Sequence, residues 1–137
     1  MKELIINADY RHEKTQNLYH TLIVSSEKDG EEQQVVYIDN YNRVWSKGVK
    51  RFLNGMTFLN KDQTVIHNQN NLKDYPNSGD FYYDSRSGDG KAHAACSVMY
   101  VTNIEANEKD YPITVFYLCD GLIEYMTLEE FNKHFKK

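Results

Sequence analysis

The chain has 137 residues and a formal net charge of -4 at pH 7, and 40% of its residues are apolar. This length makes one ordinary domain or two very small ones, and the apolar content suffices for a packed core. No apolar run reaches the roughly eighteen residues that a transmembrane helix needs, so no membrane span is expected. The net negative charge argues against extensive phosphate binding, so nucleic acid is not an expected partner. A local basic patch is still compatible with this net charge.

The first half of the chain has the pattern of a β-meander. Residues 18–24 and 35–38 are rich in β-branched and aromatic side chains, which suit the pleated surface of a sheet. A charged loop with a central glycine separates these two segments. Residues 39–42 then supply Asp and Asn, which favour turns because they tolerate left-handed conformations and bond their own backbone. Closely spaced strands with turns between them predict a small barrel or sandwich.

A further strand and a helical turn follow this meander. Val44 and Trp45 restart the extended pattern, and Gly48 interrupts it. Val49 and Phe52 then lie three residues apart, which places them on one side of a single helical turn. The first module is therefore expected to end in a short helix whose apolar side faces the sheet.

Residues 57–91 differ from the segments on either side. They are rich in Asn, Asp, Ser and Gly. Because a structureless loop of this length is unusual in a compact domain, we expect an irregular connection that holds short strands at residues 64–66 and 81–83. The predicted division is a first β module at residues 1–56, this connection, and a second β module at residues 92–137.

The clearest predicted helix begins after Thr127 and closes the second module. Thr127 and Glu130 match a capping box, in which a hydroxyl and a carboxylate satisfy each other's backbone donors. Leu128, Phe131 and Phe135 form one apolar stripe at helical spacing. The helix is therefore expected to run to the end of the chain.

The pattern of the first half recurs in the second half when His12 is aligned with His93. With single deletions in loops, where they are tolerated, the alignment matches Tyr19 with Tyr100, Thr21 with Thr102, Val35 with Val115, Tyr37 with Tyr117, Val44 with Ile123, Val49 with Leu128, and Phe52 with Phe131. We interpret this as an internal duplication; the alternative is two unrelated meanders of similar composition. A duplication predicts that residues 10–53 and 93–132 form the same strands in the same order.

The first half also carries a spaced set of aromatic and basic residues over roughly residues 9–56. The set consists of Tyr10, Arg11, His12, Leu18, Tyr19, Val35, Val36, Tyr37, Val44, Trp45, Lys47 and Phe52. It resembles the motif of the small bacterial family of unknown function catalogued as DUF1653, in which Arg and Pro stand where this chain has Lys47 and Gly48. The second half is a more distant copy, with Glu124 at the Trp position. The resemblance implies a mainly β fold of two SH3-like small β-barrel repeats with a short C-terminal helix, and it brings no established activity.

Aromatic and basic residues around Trp45 are the first candidates for a ligand site. Small barrels often bind ligands on aromatic residues, and interleaved basic groups can hold a phosphate or a single strand. The candidate ligand-binding residues are Trp45, Tyr41, Tyr37, Arg43, Lys47, Lys50 and Arg51, with Arg11 and His12 at one mouth of the barrel. The alternatives are that Trp45 belongs to the core, that the basic residues form a solvated face, and that His12 bonds a loop carbonyl.

Cysteine and histidine spacing gives no metal-site pattern, and the chain has no Gly-rich phosphate loop, so neither metal nor cofactor is expected. Cys96 and Cys119 fit a chain with reduced thiols better than a disulfide scaffold, which predicts a cytoplasmic protein. The alternative to a binding protein is a small hydrolase or transferase. Such an enzyme would use Cys96 with His93, or His12 with Tyr10.

The sequence therefore favours a non-enzymatic binding or accessory protein whose aromatic and basic groove binds a protein segment or a small phosphorylated ligand. Abundant Asn, Lys and Tyr are typical of an AT-rich bacterial or phage genome. Two barrels of this size are each marginal alone, so they are expected to share an interface within the chain or across a homodimer. Pairing of opposite charges offers a second use for the basic residues, with Lys47, Lys50 and Arg51 set against Glu124, Glu129 and Glu130.

Overall fold

A computed structural model describes residues 3–61, 67–86, 95–106 and 111–137. The chain divides into two compact units, Met1–His67 and Asn68–Lys137, which we call unit 1 and unit 2. The expected strand at residues 64–66 lies outside the described residues. Within the part of the chain that is described, no helix combines the length and the apolar character that crossing a membrane requires.

Unit 1 is a five-stranded antiparallel sheet with one short helix. Its elements are β1 (Ala8–His12), β2 (Leu18–Val24), β3 (Gln34–Ile38), β4 (Val44–Gly48), α1 (Val49–Gly55) and β5 (Met56–Lys61). The order across the sheet is β4-β3-β2-β1-β5, so the last strand returns to pair with the first. A four-stranded meander whose fifth strand returns through a helical turn is the arrangement of small SH3-like barrels.

Unit 2 repeats this arrangement. Its elements are β6 (Phe81–Asp84), β7 (Ala95–Thr102), β8 (Thr114–Cys119), β9 (Leu122–Thr127), α2 (Leu128–His134) and β10 (Phe135–Lys136). The order β10-β6-β7-β8-β9 is that of unit 1 read from the other side. The predicted mainly β fold of two SH3-like repeats is therefore confirmed, as is the same strand order in both halves.

Strand register shows which part of the predicted alignment holds. Tyr37 lies opposite Trp45 on β4, and Tyr117 lies opposite Glu124 on β9. The two helices start at equivalent positions after these strands and have seven residues each. From β3 and β8 onward, the predicted equivalence of the two halves is confirmed residue by residue.

The predicted alignment of the second strand in each unit is wrong. Thr21 lies opposite Tyr37, whereas Val98 lies opposite Tyr117, so Thr21 is equivalent to Val98 and not to Thr102. The sequence alignment had slipped by an even number of residues. An even slip keeps every side chain on its own face of the sheet, so alternation alone does not reveal the error.

An aromatic triad forms the core of each unit. In unit 1 the ring of Phe52 lies 5.1 Å from that of Tyr10, at 71°, and 5.0 Å from that of Tyr37, at 52°. In unit 2 the equivalent contacts are Tyr82 with Phe131 at 5.0 Å and 71°, and Tyr117 with Phe131 at 5.9 Å and 53°. The phenylalanine of the helix thus packs between tyrosines from the first and third strands of its own unit.

The C-terminal helix begins where the sequence predicts, but it ends before the predicted end at the last residue of the chain. Thr127 Oγ1 accepts a hydrogen bond from the backbone N–H of Glu130 at 3.2 Å, which confirms the predicted N-cap. The helix ends at His134, and Phe135 opens β10 instead of continuing the helix. The apolar stripe survives this change, because the rings of Phe131 and Phe135 stack at 4.4 Å. Pairing with β6 ends the helix, and that long-range contact is not visible in the local pattern.

The two cysteines of the chain are joined to each other. Cys96 on β7 and Cys119 on β8 form a disulfide, and their Cα atoms are 4.6 Å apart. The register that sets Ser97 opposite Leu118 places the two cysteines directly across from each other. This spacing suits both a disulfide and a non-hydrogen-bonded antiparallel pair. The expectation of reduced thiols is therefore wrong for this structure.

We expect Phe52→Ala and Phe131→Ala each to lower the free energy of unfolding by about 3–5 kcal/mol, because both rings are 1% exposed or less and contact two tyrosines. Chemical denaturation followed by circular dichroism measures the loss. Phe58→Ala is the matched control, since the Phe58 side chain is 43% exposed and should lose less. A loss below about 1 kcal/mol at both buried positions would show that these rings do not form the cores.

Candidate ligand site on unit 1

The hairpin between β3 and β4 is organised by Asp39. Its Oδ1 accepts hydrogen bonds from the backbone N–H groups of Tyr41 at 2.8 Å and Arg43 at 3.0 Å. Its Oδ2 accepts from Arg43 Nε at 2.7 Å and from Trp45 Nε1 at 3.0 Å. Asn42 takes a positive φ of 61°, which lets the turn close. One carboxylate therefore fixes the turn and two of its neighbouring side chains.

Hydrogen bonding also sets the charge state of this carboxylate. Partial burial acts to raise the pKa of Asp39, but the hydrogen bonds from Trp45, Arg43 and Tyr41 outweigh it, so the pKa lies below the ordinary value of 3.8. Asp39 is therefore ionised at neutral pH. It balances the positive charge of Arg43, to which it is ion-paired at 2.7 Å.

Arg43 lies against two aromatic rings. Its guanidinium carbon is 5.0 Å from the ring centroid of Tyr41 and 5.6 Å from that of Trp45, within the range of cation–π attraction. Tyr41 is 79% exposed, and Trp45 is half-buried. The result is an ordered stack of aromatic and guanidinium groups on the surface of the hairpin.

Positive charge continues along the same edge of the unit. Lys47 follows Trp45 by two residues on β4, so both side chains point to the same face. Burial of Lys47, and then the nearby charge of Arg51 on α1, lower the pKa of its ammonium group. We call Tyr41, Arg43, Trp45, Lys47 and Arg51 the β4 cluster.

Lys50 lies on a different surface from the β4 cluster. It lines a cleft of about 780 Å³ between the start of α1 and the β2–β3 loop, and the other lining residues are Glu27, Lys28, Asp29, Glu31, Glu32, Gln33 and Val49. The carboxylate of Glu32 sits against Gly48, so a side chain at position 48 would displace the end of the Glu32 side chain. The predicted basic patch is thus divided, and Lys50 faces mainly acidic neighbours.

Three other predicted site residues are not part of the exposed surface of the β4 cluster. Tyr37 lies directly opposite Trp45, but it is 5% exposed and belongs to the core. His12 Nδ1 accepts hydrogen bonds from the backbone N–H groups of Lys14 and Thr15, both at 3.2 Å, so it orders the β1–β2 turn. Arg11 and His12 lie on β1, which β2 and β3 separate from β4. Two intervening strands place β1 roughly 14 Å from β4, since neighbouring strands are about 4.8 Å apart.

Unit 2 lacks the β4 cluster although it shares the fold. Strand register and helix position give the equivalent residues of the two units. They pair Asp39 with Cys119, Arg43 with Leu122, Trp45 with Glu124, Lys47 with Met126, Lys50 with Glu129, and Arg51 with Glu130. The β8–β9 hairpin turns through Asp120 and Gly121, which have φ values of 52° and 78°. Neither an aromatic stack nor a basic group therefore occupies the equivalent positions of unit 2.

The residues of the alternative enzymatic site are engaged elsewhere. Cys96 is 1% exposed and bonded to Cys119, so its sulfur is not a thiolate. The hydroxyl oxygen of Tyr10 accepts a hydrogen bond from the backbone N–H of Ile5 at 3.1 Å, and the Tyr10 side chain is buried. His93 lies outside the described residues, and the residue of unit 2 at the position of His12 is Asp84.

One imidazole–carboxylate pair was overlooked in the sequence. His20 Nδ1 lies 3.0 Å from Asp9 Oδ1, and His20 is 8% exposed. Because an ionised carboxylate only accepts, the Nδ1 atom carries the proton. Within the described ranges, Nε2 of His20 has no hydrogen-bond partner, and no three His, Cys, Asp or Glu side chains are placed to hold a metal ion.

Comparisons of this chain with protein-family models, with curated proteins and with solved structures give no match. The resemblance to DUF1653 therefore stays a prediction.

We expect Asp39→Ala to lower the free energy of unfolding by about 1–3 kcal/mol, because it removes the acceptor of two backbone and two side-chain hydrogen bonds. The emission of Trp45 should shift to the red as its indole N–H loses this partner. Asp29→Ala, in the exposed β2–β3 loop, is the control and should change neither property.

The same pair of variants should differ in acid. A carboxyl group whose folded-state pKa is depressed contributes stability above its unfolded-state pKa, and that stability is lost as the pH falls through the folded value. The gap in unfolding free energy between the unmodified chain and Asp39→Ala should therefore narrow once the pH falls below the ordinary pKa of 3.8. A gap that stayed constant down to the acid unfolding transition would show that Asp39 is not held ionised by its partners.

Proposed function

We propose that this protein is a non-enzymatic binding protein whose β4 cluster recognises an anionic ligand, either a protein segment or a small phosphorylated molecule. The observation that carries the proposal is a half-buried lysine on the same strand face as Trp45, which packs against the core and contacts Arg43. The pKa of Lys47 is lowered by burial and by Arg51, so an anion at this site would relieve an existing electrostatic cost.

The hydrogen bonds of Asp39 support the proposal because they order the site before a ligand arrives. The side chains of Arg43 and Trp45 are both bonded to this carboxylate, so little of their side-chain entropy remains to be lost on binding. Asp39 also pairs with Arg43, and Lys47 adds a further cationic group on the same strand, near Arg51 on α1. Hydrogen bonds from charged donors to a carboxylate or phosphate are stronger than neutral ones, and partial burial strengthens them further.

Unit 2 supports a functional rather than structural reason for these residues. It reaches the same strand order with Glu124, Met126 and Glu130 at the positions of Trp45, Lys47 and Arg51. The fold therefore does not need aromatic and basic groups there. A solvated charged face would explain Lys50 and Arg51, but it does not explain a lysine that is half-buried beside another cation.

We further propose an accessory role in a bacterial or phage setting, which rests on size and composition. A cytoplasmic location stays an expectation from the sequence. The disulfide weighs against it, because disulfides persist mainly in oxidising compartments.

The test uses Trp45, which is the single tryptophan of the chain and part of the site. Its fluorescence should change saturably on titration with inorganic pyrophosphate or with a short peptide rich in Glu and phosphoserine. Lys47→Met, which copies the residue of unit 2, should weaken binding by about 10-fold or more, the effect of one lost charge-assisted hydrogen bond. Arg51→Gln should weaken it to a smaller extent.

Lys14→Met is the matched control, because Lys14 is an exposed lysine in the β1–β2 turn and should leave the titration unchanged. If neither probe gives a saturable signal, the cluster does not bind anions. If Lys14→Met weakens the response as much as Lys47→Met, the attraction is a general effect of charge and the proposal is wrong.

A further inference from the structure

The disulfide of unit 2 occupies a place where unit 1 has none. Cys96 and Cys119 link β7 to β8, and the equivalent residues of unit 1 are Tyr19 and Asp39. Unit 1 forms the same sheet order without any cysteine. The duplicated unit thus serves as an internal control, and it shows that this strand order does not depend on a covalent link.

The two cysteine residues differ in their exposure to solvent. Cys96 is 1% exposed and packs in the apolar cluster that includes Val98, Tyr117 and Phe135. Cys119 packs against the same cluster but is only half-buried, because it lies at the end of β8 next to the turn through Asp120 and Gly121. Of the two residues, Cys119 is therefore the one that a reagent in solution meets first.

We propose that the Cys96–Cys119 bond is a reversible thiol–disulfide exchange site, which a dithiol reductant opens at Cys119 while unit 2 stays folded. The thiolate of the dithiol attacks Cys119 Sγ, the bond between the two cysteine sulfurs breaks, and Cys96 Sγ leaves and takes up a proton. The second thiol of the reductant then attacks the reductant sulfur that is bonded to Cys119 in the mixed disulfide. This releases Cys119 as a thiol. The dithiol becomes a disulfide and loses two electrons, which reduce the protein disulfide to two thiols.

Two features let the reduced unit keep its fold. The β7–β8 ladder continues past the cysteines through five further residue pairs, from Ser97 and Leu118 to Thr102 and Thr114. Once Cys96 Sγ has taken up its proton, both products are neutral thiols, so the reduced pair adds no charge to the apolar cluster. The strand register keeps the two sulfurs facing each other, which also prepares the pair for re-oxidation.

The first experiment uses the full oxidised chain and dithiothreitol without denaturant. Mass spectrometry after alkylation should show that two thiols appear, while the far-ultraviolet circular dichroism is retained. Oxidised glutathione should then restore the disulfide. Thiols that appear only at urea concentrations that unfold unit 2 would overturn the proposal and make the bond purely structural.

The second experiment tests the direction of attack with single variants. Cys96→Ser leaves the thiol of Cys119, which should react with oxidised glutathione at least about 10-fold faster than the buried thiol that Cys119→Ser leaves, since reactivity follows exposure and thiolate fraction. Equal rates in folded variants would overturn the assignment.

If either variant fails to fold, peptide mapping of the mixed disulfide that the native chain forms with reduced glutathione decides the point. Glutathione attached to Cys119 supports the proposal, and glutathione attached to Cys96 contradicts it.

Discussion

The packing of one phenylalanine between two tyrosines holds each unit of this protein together. Phe52 comes from the helix that follows the fourth strand, while Tyr10 and Tyr37 come from the first and third strands. The contact therefore fixes the helix across the sheet, and the helix delivers the fifth strand to the open edge beside the first. A five-stranded sheet of this size has few other large side chains available, because small domains bury little apolar surface. Loss of the ring would leave both the closing strand and the helix poorly anchored.

The same position after the third strand secures the hairpin differently in the two units. In unit 1, Asp39 accepts hydrogen bonds from the turn and from the residues that follow it. In unit 2, Cys119 stands at that position and is bonded to β7 instead. In unit 1 the result is a polar hairpin, whereas in unit 2 it is a covalent link between two strands. The anion site and the thiol-exchange site proposed above therefore occupy one structural position of a shared fold.

The sequence predicted the features that depend on local chemistry. The β-branched and aromatic run of β3, the turn around Asp39 and Asn42 and the cap of α2 all follow from residues within a few positions of each other. The duplication was recognised because Tyr37 and Phe52 recur with their surroundings. The predictions that were wrong concern features that depend on the register between strands. These features are the equivalence of Thr21 with Val98 and the disulfide. Tyr37 was assigned to the ligand site because it is aromatic, and only its burial shows that it belongs to the core.

The two units also indicate which positions are free to diverge. The three aromatic positions of the core triad keep their residue types, as Tyr10, Tyr37 and Phe52 correspond to Tyr82, Tyr117 and Phe131. Positions on β4 and α1 change class, and Lys50 and Arg51 even reverse charge to Glu129 and Glu130. Exposed charges change at little energetic cost, so reversal on the helix alone says little about function. Lys47 is different, because partial burial and the nearby charge of Arg51 both lower the pKa of its ammonium group. This effect is specific to unit 1, since Met126 at the equivalent position of unit 2 carries no charge. Under the proposed function, a bound anion would favour the charged form of Lys47 and would give this lysine a role that the fold does not require.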